Sequence, residues 1–144
     1  MGTYAAFDHT ADVGLEVHGD TLEDLLATAA RATFAQMLVD WPDQVEALQV
    51  VEARVAAGLE GDDGERLVTW LQELLYRFET ERLVPLTFDF ERIGPEGVRA
   101  GVGFGRFDPA RHRTALEVKA VTYHDLAVRR EADGTWSARF ILDV

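Results

Sequence analysis

The chain has 144 residues, a formal net charge of −12 and no cysteine. It is long enough to form one domain over residues 1–144. Without cysteine it has no disulfides, thiolate metal ligands or cysteine nucleophiles. Because nucleic-acid affinity comes largely from basic groups, so acidic a chain should contact RNA only indirectly, through a protein partner. No secretory signal and no apolar run long enough to span a bilayer are visible, which predicts a cytoplasmic protein without membrane contact.

Two short strands and a helix are predicted at the start of the chain. The strands are expected at Tyr4–Phe7 and Val13–Val17, on either side of a turn at Asp8–Asp12. Asp20, with an acid three residues later, has the pattern of a helix N-cap in a capping box. Apolar residues then recur at helical spacing, which predicts a helix over about 21–38.

A long strand and a second helix follow. Val45–Leu59 is rich in valine and leucine with partial alternation, which predicts a strand. Gly61–Gly64 is a turn whose two aspartates suit helix N-capping better than metal binding. The second helix presents one apolar face, formed by Leu67, Leu71, Leu74, Leu75 and Phe78.

From Val84 onward the hydrophobic pattern has a period of two, which predicts successive strands. Hairpin turns are expected at Gly94–Gly97 and Asp133–Gly134. After the alternation of Leu86, Phe88 and Phe90, strands are expected at Val98–Phe104, Ala115–Tyr123, Leu126–Arg130 and Trp136–Leu142. Two helices among about seven strands predict an α+β fold, a two-layer sandwich in which a mostly antiparallel sheet carries both helices on one face.

Carboxylates stand at two places that a sheet can bring together. Asp8 and Asp12 belong to the first turn, and Asp143 directly precedes the α-carboxylate of Val144. If the last strand lies beside the first turn, up to four carboxylates converge, and their repulsion favours a bound cation. Oxygen ligands without cysteine favour Ca²⁺, Mg²⁺ or Mn²⁺. Solvated carboxylates that lie apart are the alternative, and the sequence pattern leaves it open.

Lys119 is the single lysine among the 14 lysine and arginine residues. A compact ammonium is not interchangeable with the broad guanidinium fork, so this lysine is a candidate for a tight functional contact. An arginine-rich composition that happens to retain one lysine is the alternative. His9 and His124, near the two groups of candidate residues, can orient a carboxylate or hydrogen-bond across the site.

Three separated motifs carry a family resemblance. Asp-His-Thr-Ala-Asp-Val-Gly at 8–14, Lys-Ala-Val-Thr-Tyr-His at 119–124 and the final Asp-Val resemble, in order and spacing, the archease family. Trp70–Tyr76 also resembles that family's second helix, so the resemblance covers essentially the whole chain. One residue departs from it, since Arg106 stands where the family is expected to carry glutamate.

The resemblance implies a protein cofactor, not an enzyme acting alone, for the RtcB-type GTP-dependent RNA ligase of tRNA splicing and RNA repair. It implies promotion of ligase guanylylation and multiple turnover, with a divalent metal held by Asp12, Asp143 and the terminal carboxylate of Val144. Asp8 is an additional candidate ligand, and the family's functional lysine, which contacts the ligase or the nucleotide, matches Lys119. Supporting residues in the motifs are His9, Thr10, Thr122, Tyr123 and His124.

Two other classes of function stay open at this point. In a metal-dependent phosphohydrolase, clustered carboxylates activate water or clamp a phosphate. In a chaperone-like protein-binding module, the carboxylates only hold the fold. Turnover of phosphoesters by the isolated protein would favour the hydrolase, and ligase stimulation that survives loss of Asp12 would favour the module.

Overall fold

A computed structural model describes residues 1–9 and 12–144. Within these ranges every strand pair is antiparallel, and the fold is of the expected α+β class. The elements in chain order are β1 (Thr3–His9), β2 (Asp12–Gly19), α1 (Leu22–Met37), β3 (Ala47–Arg54), α2 (Asp63–Glu81), β4 (Leu83–Gly94), β5 (Gly97–Arg106), β6 (Ala120–Arg130) and β7 (Trp136–Asp143).

The strands of the described ranges divide between two sheets. One sheet has four strands in the order β1-β2-β7-β6, and the other has three in the order β3-β5-β4. The period-two pattern predicts the strands themselves, but it carries no information on which strands pair, so the division into two sheets is visible only in the structure. The final strand β7 lies between β2 and β6, which brings the C-terminal end of the chain beside the start of β2.

Both helices begin with a side-chain cap, and one cap differs from the prediction. The N-cap of α1 is Thr21, whose hydroxyl accepts a hydrogen bond from the Asp24 backbone N–H at 3.1 Å. The prediction of Asp20 was one residue early, because Asp20 instead donates its backbone N–H to the Asp24 carboxylate. Asp62 caps α2 as predicted, because its carboxylate accepts a hydrogen bond from the Glu65 backbone N–H. Neither of the helices in the described part of the chain is long and apolar enough to cross a membrane.

Both helices pack on the inner faces of the two sheets around a shared hydrophobic core. Trp70 of α2 is fully buried, and its ring centroid lies 5.9 Å from that of Phe88 and 5.4 Å from that of Phe90, both on β4. Its indole N–H donates to the carbonyl of Leu26 on α1 at 3.0 Å. Trp70 therefore joins the two helices to the three-stranded sheet.

The chain between β5 and β6 corrects the predicted strand at Ala115–Tyr123. Residues 107–119 form no continuous strand, and β6 begins only at Ala120. The physical reason is that the middle of this segment bonds to the end of α1 rather than to a sheet: Thr114 forms an isolated bridge with Leu38, and the Ala115 N–H donates to the Met37 carbonyl at 2.7 Å. The predicted Leu126–Arg130 strand is the second half of β6.

Candidate functional site

The register of the four-stranded sheet brings residues of the first motif and the C-terminal residues to one place. Val13 of β2 pairs with Leu142 of β7, so the next residue on each strand, Asp12 and Asp143, lies opposite the other. On the other side of β7, Asp143 pairs with Ala120 of β6. The Lys119 backbone N–H donates to the Asp143 carbonyl at 2.8 Å. The backbones of the predicted residues Asp12, Asp143 and Lys119 thus meet at one end of this sheet.

Asp12 and Asp143 lie on the outer face of the four-stranded sheet, turned away from the helices. Leu142 is fully buried in the core and Val13 packs against it, so both mark the inner face. Side chains alternate between faces along a strand, which places the two aspartates on the opposite face. Directly opposed residues have Cβ atoms about 4.5–5.5 Å apart, a spacing that one cation can bridge. We call Asp12 and Asp143 the acidic pair.

A buried hydroxyl lies on the same face as the acidic pair. Thr122 of β6 pairs with Ile141 of β7. This pair lies two residues along the ladder from the pair of Ala120 and Asp143, and the pair between them lies on the inner face. Its Oγ1 atom is buried, and in residues 1–9 and 12–144 it has no hydrogen-bond partner. Such a group costs about 1–3 kcal/mol. Carboxylate and hydroxyl oxygens without sulfur are a donor set that fits a hard divalent cation.

The structure leaves part of the predicted metal site undescribed. Asp8 pairs with Val13 and His9 with Asp12, but the side chains of Asp8 and His9 lie outside the described part of the chain, as does Thr10 entirely. Among the residues described, no three His, Asp or Glu side chains group closely enough to hold a metal ion. The predicted site therefore depends on the terminal carboxylate as a third donor, and it stays a prediction.

Val144 directly follows Asp143 and packs its partly buried side chain against the hydrophobic core. This packing fixes the last residue next to the acidic pair. In the register of β6 and β7, Val144 and Lys119 each stand one residue beyond the pair of Asp143 and Ala120. The backbone of Lys119 therefore lies beside the residue whose carboxylate is the predicted ligand.

Lys119 also borders a groove between the helices and the 107–119 segment. It is exposed, and among the described residues it forms no ion pair. The groove encloses about 600 Å³. Its apolar part is formed by Met37, Leu75, Phe78, Leu116 and Val118, and its charged part by Glu79, Arg82, Glu117 and Lys119. The ammonium is thus available to a partner that docks at this end of the molecule.

A bulge in β6 separates Tyr123 and His124 from the regular ladder. Between Thr122 and Ala127, four residues of β6 face a single residue of β7. Asp125, within the bulge, adopts a left-handed backbone with φ 54°. The Tyr123 hydroxyl donates to Glu65 at 3.3 Å, and burial together with this carboxylate raises the pKa of Tyr123. The structure therefore places Tyr123 at the first turn of α2, which the sequence pattern did not predict.

Sequence reasoning also missed the residues that pack beside the acidic pair on the outer face. The Phe7 ring of β1 covers Gly14 of β2, which in turn pairs with Ile141. The Arg139 guanidinium lies 3.9 Å from the Phe7 ring centroid and forms an ion pair with Glu16 at 2.7 Å. The glycine that ends the first motif is the sequence signal that would have indicated this close packing.

Comparisons with known proteins agree with the resemblance of the motifs. Residues 4–144 match the model of the Archease protein family. The chain is similar to a protein archease from Pyrococcus furiosus, with 35% identity over 150 residues and full coverage of both chains. A protein archease from Methanopyrus kandleri is 40% identical over 141 residues, covering 95% of this chain and 96% of the other. The solution structure of protein 1598 from Methanobacterium thermoautotrophicum has a TM-score of 0.75 and 32% identity, covering 98% of each chain.

Proposed function

This chain belongs to the archease family, and we propose that it activates an RtcB-type GTP-dependent RNA ligase in tRNA splicing and RNA repair. In this role it promotes guanylylation of the ligase and allows multiple turnover, and it is a protein cofactor rather than an enzyme acting alone. The observation that carries the proposal is the convergence of Asp12, Asp143 and Lys119 at one end of the four-stranded sheet.

We assign the acidic pair and the terminal carboxylate of Val144 as ligands of a divalent cation, Ca²⁺, Mg²⁺ or Mn²⁺. When bound, the cation supplies positive charge that can stabilise phosphate oxygens near the docked ligase. The chain's own contribution is to hold the carboxylates in register. Lys119, one residue from Ala120 and bonded through its backbone to Asp143, presents its ammonium to the nucleotide or to an acidic group of the ligase.

The charge of the molecule supports a function through a protein partner. The sequence carries 26 acidic and 14 basic residues. Such a surface repels RNA phosphates, so the ligase and not this protein holds the RNA. An activator that touches RNA only through its partner is consistent with this charge.

The test is a guanylylation assay of the cognate ligase with GTP and Mn²⁺, in the presence and absence of this protein. We expect stimulation by the wild type and its loss in Asp12→Ala and Asp143→Ala, because each removes a carboxylate of the proposed site. Lys119→Arg should lose much of the stimulation although its charge is kept, because the guanidinium fork does not fit where a compact ammonium does.

Asp89→Ala is the matched control, since Asp89 is exposed on β4 of the other sheet. It should stimulate as the wild type does. If the wild type gives no stimulation, the proposed function is wrong. Hydrolysis of phosphoesters by the isolated protein would favour the phosphohydrolase instead. Ligase stimulation that survives both aspartate substitutions would favour the chaperone-like protein-binding module.

A further inference from the structure

Thr122 carries a hydroxyl for which the described part of the chain offers no hydrogen-bond partner. Its Oγ1 is buried. A hydroxyl has one proton to donate and two lone pairs to share, and buried hydroxyls in proteins nearly always use at least one of them. Valine would fill the same volume without this cost. The unpaired oxygen is therefore open to a ligand that the described part of the chain does not supply.

The position of Thr122 indicates where that ligand lies. Val121 is buried in the core and marks the inner face of β6, so Thr122 lies on the outer face. It pairs with Ile141, and Asp143 is two residues further along the same strand. Thr122 and Asp143 are thus diagonal neighbours on the face that also carries Asp12.

The spacing of these positions suits a bridging cation. Diagonal neighbours in an antiparallel pair are about 7–8 Å apart, too far for a direct bond between a short hydroxyl and a carboxylate. The two side chains reach into this gap from both ends, and a divalent cation with oxygen ligands at about 2.3–2.6 Å on each side spans up to roughly 5 Å between their oxygens. Ala120, the direct cross-strand neighbour of Asp143, contributes only a methyl group and leaves the space between them to the cation.

The other described side chains near Thr122 on this face are apolar or already paired. Its direct neighbour Ile141 is a fully buried aliphatic side chain, and beyond it Gly14 is covered by the Phe7 ring. Arg139, the other diagonal neighbour of Thr122, directs its guanidinium to Glu16 and to the Phe7 ring. Of these described neighbours, the acidic pair is the one that can hold a cation beside the hydroxyl.

We propose that Thr122 Oγ1 is a further oxygen ligand of the divalent cation held by Asp12 and Asp143. The inference rests on the metal site of the proposed function and deepens it, because it adds a neutral donor that the carboxylates alone do not provide. The hydroxyl keeps its proton and coordinates through a lone pair.

The experiment measures cation binding and apo stability separately in the purified full chain. Calorimetric titration with MnCl₂ and with CaCl₂ gives the affinity, and thermal unfolding in EDTA gives the apo Tm. In Thr122→Val we expect an affinity lowered about tenfold or more, with an apo Tm equal to or above that of the wild type. Thr122→Ser retains the oxygen and should bind within about threefold of the wild type. Thr87→Val, an exposed site on β4, is the matched control and should change neither quantity.

Two results would overturn the inference. Unchanged Mn²⁺ and Ca²⁺ affinity in Thr122→Val, while the wild type binds, removes Thr122 from the site and leaves the proposed function standing. An apo Tm clearly below that of the wild type shows that the hydroxyl has a structural partner. If the valine variant does not fold, Thr122→Ala replaces it under the same criteria. If the wild type binds neither Mn²⁺ nor Ca²⁺, the metal site itself is wrong. This result is distinguishable from unchanged affinity in Thr122→Val, which removes only Thr122 from the site.

Discussion

Single residues on the outer face show how tightly the neighbourhood of the acidic pair is packed. Gly14 lies under the Phe7 ring, and a Cβ atom added at Gly14 would fall well inside van der Waals contact with that ring. The Arg139 guanidinium also packs on the Phe7 ring, 3.9 Å from its centroid. The close approach of ring and backbone explains why the motif carries glycine two residues after Asp12.

We therefore expect Gly14→Ala to lower the free energy of unfolding by about 1–3 kcal/mol, because the added methyl group overpacks a filled site. Chemical denaturation measures this change. Gly101→Ala is the matched control, since a Cβ there meets its nearest atom only at 3.9 Å, and it should be neutral or slightly stabilising.

The double substitution Gly14→Ala with Phe7→Leu should recover part of the loss, because leucine removes the ring that the methyl group meets. A Gly14→Ala variant as stable as the wild type would show that the Phe7 ring moves aside freely, and the packing argument would fail.

At the residue scale, the sequence predicts which residues form the candidate site better than it predicts the geometry around them. The motifs identify Asp12, Asp143 and Lys119, and the structure brings all three to one end of a sheet. The orphaned hydroxyl of Thr122 could not be predicted, because it depends on which neighbours fall on the same face. Cross-strand neighbours are set by register, which a single strand's pattern does not contain.

At the scale of elements, local signals predicted the helices and hairpins well. Asp62 caps α2, and the turns at Pro95–Glu96 and Asp133–Gly134 lie where glycine and proline indicated them. The missed features are those in which tertiary bonds override a local pattern. The strand predicted at Ala115–Tyr123 starts only at Ala120, because the backbone before it bonds to α1 at Leu38 and Met37. The four-residue bulge after Thr122 contains no glycine that would have indicated it in the sequence.

The 107–119 segment is also tied to the loop after α1 by one ion pair. The Arg113 Nε donates to the Asp40 carboxylate at 2.8 Å, and the Arg113 backbone N–H donates to it at 2.9 Å. These bonds lower the pKa of Asp40 from 3.8 to about 2. A carboxyl whose pKa is lower in the folded state binds protons more weakly there than in the unfolded chain, so the pair stabilises the fold at neutral pH.

The contribution of this pair should be fully present above about pH 4 and disappear as the pH falls toward about 2. Asp40→Asn should flatten that part of the stability profile, measured by thermal unfolding at a series of acidic pH values. The effect is small, because the pair is solvent-exposed and screened. Asp43→Asn, an exposed acid in the same loop, should leave the profile unchanged. An Asp40→Asn profile that follows the wild type throughout would contradict the assignment.

At the scale of the whole molecule, the four-stranded sheet separates the two chain termini. Thr3, near the N-terminus, pairs with His18, whereas Asp12 and Asp143 meet at the other end of β2. Six residues of strand at about 3.3 Å each put about 20 Å between these two ends of the sheet. The Met1 amino group lies 3.2 Å from Asp20 in an exposed ion pair, which is worth little to stability. Additions at the two termini therefore test different parts of the molecule.

A peptide appended after Val144 converts its α-carboxylate into a neutral amide and places bulk beside the acidic pair. We expect this variant to lose Mn²⁺ affinity and ligase stimulation, measured by calorimetry and by the guanylylation assay. The same peptide placed before Met1 is the matched control and should keep both, because it emerges at the opposite end of the sheet. Both proteins should unfold at similar temperatures without metal, since chain ends usually tolerate additions. If the C-terminally extended protein binds Mn²⁺ and stimulates the ligase like the control, Val144 is not a ligand. The carboxylate ligands would then have to be Asp8, Asp12 and Asp143.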